Sequence, residues 1–69
     1  MATATKEWIE HEANSIEQSA KDSLRAWILL GQESKYGEEM AKAAALRRIA
    51  EEKSIKIRRE GLRNLGYDA

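Results

Sequence analysis

The chain is predicted to be all-α, an antiparallel helical hairpin followed by a short third helix, on three observations. Strand formers are scarce, with no Val, Phe or Pro and only two Thr, while eleven Ala and abundant Glu, Lys, Arg and Leu favour helix. Apolar residues recur at helical spacing along two long segments. Glycines then punctuate the chain where those patterns stop, at Gly31, Gly37 and Gly66.

The first helix is expected over about 5–31. Thr5 is a good N-cap, and Ile9, Ala13, Ile16, Ala20, Leu24 and Trp27 follow at spacings of four, three, four, four and three. Ser15 and Gln18 resemble a capping box that would break this helix, but the seam runs through them without interruption. A single helix about 40 Å long follows, ending at Gly31, a residue suited to the left-handed position after a helix. Within it, "AWILLG" raises a question. Trp27 lies on the seam and Ile28 and Leu30 flank it, but Leu29 falls on the polar side with Gln18, Lys21 and Arg25. Leu29 therefore needs a second neighbour, either the following turn or another molecule.

The connection is expected at about 32–37, with Ser34 or Gly37 preceding a second helix over about 38–53. Glu38 and Glu39 would then sit in its first turn, where negative charge suits the helix dipole. Its stripe is Ala43, Leu46, Ile49, Ala50 and Ile57, interrupted by Lys53. Beyond Lys53 the stripe fails. Ser54 can cap a new short helix, about 55–65, on which Ile55, Leu62 and Leu65 share a face and which Gly66 ends. Tyr67 then either folds back on the core or forms a free end.

Sixty-nine residues form one domain, 1–69, whose core only just offsets the entropy of ordering it. Disulfides and thiolate metal sites are excluded because there is no Cys. Self-association remains, and a homodimer with a four-helix core is expected, built on Ile9, Ile16, Leu24, Trp27, Leu46 and Ile49 with Leu29 or Leu30 at the rim. No segment has membrane length and none resembles a signal peptide, so a cytoplasmic protein with no membrane partner is the expectation.

The zero net charge hides a division. Residues 1–39 carry four basic and eight acidic side chains, whereas residues 40–69 carry eight basic and four acidic. Either the two halves attract each other across the hairpin, or the basic half meets an anionic partner.

Catalytic chemistry finds little support. His11, the sole histidine, has only Glu7 one turn away, too few ligands for a metal. Ser15, Ser19 and Ser23 lie on a helix without a strained elbow or oxyanion loop. Glu38–Glu39 and Glu51–Glu52 are adjacent pairs that splay apart on a helix, and the glycines are too scattered to cradle a phosphate. No enzyme activity and no cofactor are expected.

Two binding surfaces are expected instead. Trp8, Ile28, Leu29 and Leu30 are candidates for a protein partner, Trp8 because it stands off the seam and tryptophan is enriched in interface hot spots. Lys56, Arg58, Arg59 and Arg63 are candidates for nucleic acid, because basic side chains repeating on one helix neutralise phosphates. The segment "RRIAEEKSIKIRREGLRNLGY" is similar to a helix-turn-helix reader, with Ala50 as the small residue of the first helix and Ile55 as the apolar residue after the turn. It departs from that pattern at Ser54, where glycine is usual, and at Glu60, where an apolar residue is usual. The leading expectation is a non-catalytic protein-binding adaptor, regulator or inhibitor. A small nucleic-acid-binding regulator is the alternative.

Overall fold

The computed structural model describes residues 3–69; residues 1–2 of the expected domain lie outside them. Among the described residues there are three helices and no strand: α1 (Lys6–Leu29), α2 (Ser34–Glu51) and α3 (Ile55–Asn64). α1 packs along α2, and α3 packs against α2. The result is a rod of 41 × 20 × 19 Å with the α1–α2 turn at one end and α3 near the other.

Local chemistry sets the helix ends. Thr5 caps α1, its Oγ1 accepting from Trp8 N at 3.3 Å. At the other end Gly31 takes φ 71°, so that its own N–H reaches Ile28 O and Gln32 N–H reaches Trp27 O at 2.7 Å. This is a Schellman closure, which satisfies carbonyls that a helix end otherwise leaves open. Gly66 repeats the device after α3 at φ 96°, with Gly66 N donating to Arg63 O and Tyr67 N to Leu62 O, both at 2.9 Å. There the closing residue is aromatic, and the turn directs Tyr67 back onto the core beside Leu62. Of the two fates open to Tyr67, the chain takes the folded-back one.

The second helix departs from expectation at both ends. It begins at Ser34, so the connection is Leu30–Glu33 rather than 32–37, and Glu38 and Glu39 lie beyond the first turn. The Schellman turn reverses the chain within those few residues, and the helix continues through Gly37, which weakens a helix by only about 1 kcal/mol relative to Ala. α2 ends at Glu51 rather than 53 because Glu52 is extended, at φ −71° and ψ 133°. The Glu52 carboxylate then accepts from Lys53 N at 3.0 Å and Ser54 N at 3.2 Å, closing the turn on itself. Ser54 caps α3 as expected, accepting from Ile57 N at 3.4 Å.

The core lies where α1, α2 and α3 meet. Ile9, Ala13, Leu46, Ala43, Ala50 and Leu62 are buried together, with Trp8, Ile16, Ile49, Leu65 and Tyr67 packed around them. The alanines let the α1 and α2 backbones approach closely, so few large side chains are needed. Ile9, Leu46 and Leu62 are the large ones wholly removed from water, each worth about 1.5–3 kcal/mol. Gly61 serves the same end between α2 and α3, since a Cβ there would meet Cδ1 and Cγ1 of Ile49 at 2.9 Å.

Of the residues assigned to a dimer core, Ile9 and Leu46 are fully buried within one chain, whereas Ile16, Leu24, Trp27 and Ile49 are half-buried. One packing expectation is corrected. Ile55 does not share the burial of Leu62 and is 55% exposed. As the first residue of α3 it lies two turns from Leu62, past the end of the packed region.

Candidate interaction surfaces

The four residues expected to bind a protein partner separate into two groups. Trp8 is partly buried near the start of α1, where its ring meets Tyr67 edge to face at 5.8 Å between centroids. Lys42 Nζ lies over the same Tyr67 ring at 4.9 Å. Trp8 thus helps clamp the C-terminal segment to the core, as an aromatic pair of this geometry does. Burial pushes the Tyr67 phenol up to about 12, aided by hydrogen bonding to Glu12 and by the negative charges of Glu12 and Glu39.

Ile28, Leu29 and Leu30 lie at the far end of α1, about 30 Å along the helix from Trp8. They are 53, 78 and 70% exposed. Of the two neighbours open to Leu29, the turn is therefore not the one: a four-residue Schellman connection is too short to fold over the helix end. These three aliphatic side chains follow one another into a turn whose backbone is closed by hydrogen bonds.

The basic set also divides. Arg58 is a structural tie: its Nε donates to Glu52 O at the end of α2, and its Nη1 donates to Ala4 O at 3.1 Å. One guanidinium thereby joins the α2–α3 turn to the segment before α1. Arg63 donates through Nε to Ala69 O at 2.7 Å, holding the chain after Gly66. Lys56 and Arg59 are exposed and make no ion pair among the described residues. No signal in the sequence distinguishes Arg58 from Arg59; only the path of the chain around α3 does.

The charge division of the sequence is not consumed across the hairpin. Among the described residues the one ion pair joins Arg47 of α2 to Glu17 of α1, with Arg47 also donating to Asn14 Oδ1 at 2.8 Å. Ile55, the residue after the α2–α3 turn, opens α3 and is 55% exposed.

Two shallow depressions accompany α3. One of about 500 Å³ is lined by Thr3, Ala4, Thr5, Ile55, Arg59 and Asp68 together with Ala69. The other, about 300 Å³, lies between α2 and α3 over Ile49, Ile57 and Gly61, edged by Arg48, Glu52 and Glu60. His11 is exposed on α1, and no group of three or more potential metal-binding side chains comes together among the described residues. No helix among them is long and apolar enough to cross a membrane. Comparison with protein-family models, with curated proteins and with solved structures gives no match to this chain.

Proposed function

We propose that the chain is a non-catalytic, cytoplasmic protein-binding module, an adaptor, regulator or inhibitor that engages its partner through Ile28, Leu29 and Leu30. One observation carries the reading: three consecutive large aliphatic side chains stand 53, 78 and 70% exposed at the end of the hairpin. Single exposed aliphatics are ordinary, but a contiguous run on an ordered turn is the kind of surface that protein contacts cover. Burying one such side chain fully is worth about 1.5–3 kcal/mol, so seating the run in an apolar cleft is a substantial driving force. A homodimer is the form of this proposal in which the partner is a second copy. Since Ile9 and Leu46 are already enclosed, the second copy would use the tip as well.

The test is a photo-crosslinking amino acid at position 29, with the same residue at the exposed Gln18 as control, in cells that make the protein. A discrete adduct at 29 and not at 18 supports the reading, and its mass separates a second copy from another protein. Equal labelling at both positions, or none at 29, refutes it. Leu29→Glu should abolish the adduct at a crosslinker moved to position 30. It should change stability by no more than about 0.5 kcal/mol, because the side chain packs on little.

A further inference from the structure

We infer that α3 presents a phosphate-binding stripe, Lys56, Arg59 and Arg63, which contacts the backbone of a nucleic acid at the end of the rod opposite the aliphatic tip. At 100° per residue these three side chains fall within an arc of about 60°. All three are exposed; Lys56 and Arg59 have no carboxylate partner among the described residues, and Arg63 donates to the Ala69 main-chain oxygen. Asp68 lines the same depression as Arg59 without pairing to it, and Glu60 borders the stripe beyond Lys56. Attraction between the acidic and basic halves therefore does not account for these cations; among the described residues only Arg47 pairs with α1.

The helix that carries them is held in place on several sides. Ser54 caps its start, Arg58 ties it to Glu52 and Ala4, Leu62 is buried, and Gly61 lies against Ile49. Arg63 is oriented by its bond to Ala69 O, which uses Nε and leaves its terminal nitrogens uncommitted among the described residues. From Lys56 to Arg63 the helix rises about 10.5 Å.

Membrane is the less suitable anion. An interfacial helix needs one apolar face beside its cations, but Leu62 and Leu65 are turned to the core. The two exposed isoleucines, Ile55 and Ile57, point about 160° apart. The contact is to backbone and independent of sequence, since Arg58, in the first turns where a recognition helix would read bases, is committed to the fold. The net charge of the chain is zero, so binding depends on this local stripe.

The test is fluorescence anisotropy with labelled mixed-sequence duplex DNA and single-stranded RNA across a salt series. Three phosphates predict a slope of about −2.7 on duplex DNA, an affinity loss of about 40-fold between 50 and 200 mM salt. A Lys56→Gln/Arg59→Gln/Arg63→Gln variant should lose this binding. Because Arg63 also holds Ala69, a Lys56→Gln/Arg59→Gln variant is the second arm, and its slope should fall to about −0.9 with the circular dichroism unchanged. A Lys21→Gln/Arg25→Gln/Lys35→Gln variant removes the same charge from elsewhere and should bind as the native chain does. No binding at the lowest salt, or equal loss in both triple variants, overturns the inference. Equal affinity for polyglutamate or for anionic vesicles also overturns it, by showing that the stripe does not select a phosphodiester backbone.

Discussion

Gly61→Ala tests the packing of α3 on α2, because two opposing effects meet at one position. Gly61 is helical and is not among the glycines with positive φ, so its backbone accepts alanine. Helix propensity alone then predicts a gain of about 1 kcal/mol. Against this, the new methyl would stand 2.9 Å from both Cδ1 and Cγ1 of Ile49. Cδ1 can swing aside, but Cγ1 moves only by turning the stiff χ1 of a β-branched residue or by displacing α3. Overpacking of this kind destabilises by about 1–3 kcal/mol, which outweighs the propensity gain and leaves a net loss of about 1 kcal/mol. For a domain of this size that lowers Tm by about 4–8 °C.

The assay is thermal unfolding followed by circular dichroism for the native chain, Gly61→Ala, Ile49→Ala and the double variant. In the Ile49→Ala background the obstructing atoms are gone, and Gly61→Ala should raise Tm by about 4–8 °C relative to Ile49→Ala alone. The sign of the substitution therefore reverses with the neighbour. A full gain of about 1 kcal/mol in the native background would show that α3 does not lie this close to α2.

Two further outcomes are expected. Arg58→Lys should destabilise by about 1–2 kcal/mol in a denaturant titration, because an ammonium does not reproduce the guanidinium fork that reaches both Glu52 O and Ala4 O; Arg59→Lys should be neutral, and equal losses would refute the division of roles. The Tyr67 phenol, raised to about 12 from its ordinary 10.0, holds its proton more tightly in the folded chain. Its contribution to stability is therefore complete below about pH 10 and lost as pH rises from 10 toward 12, so the stability of the native chain relative to Tyr67→Phe should fall across that window. A difference that stays flat with pH would place the phenol in water.

Taken residue by residue, the legible parts are the local ones. Thr5 and Ser54 cap their helices, Gly31 and Gly66 stop them, and the Ile9–Ala13–Ile16–Ala20 seam faces α2, because each depends on neighbours within one or two turns. The start of α2 was less legible. Ser34 and Gly37 both read as turn residues, and the choice fell to how tightly the Gly31 closure reverses the chain. Glu52 shows the same limit from the other side, since nothing about two adjacent glutamates announces that one will close a turn with its carboxylate.

By itself, the sequence determined an all-helical chain in three segments, with a hydrophobic seam on the first and a charge division between its halves. Only the tertiary structure decided which side chains remain available to a partner. Arg58 and Arg59 are chemically identical neighbours, yet 100° of helix turns one onto two backbone carbonyls and leaves the other in solvent. Trp8 and Leu29 both looked like contact residues; Tyr67, brought back from nearly sixty positions away, packs on one, and the described residues leave the other 78% exposed. The reason is physical: periodicity and capping are set by covalent neighbours a few ångströms apart, whereas exposure depends on where distant segments come to rest.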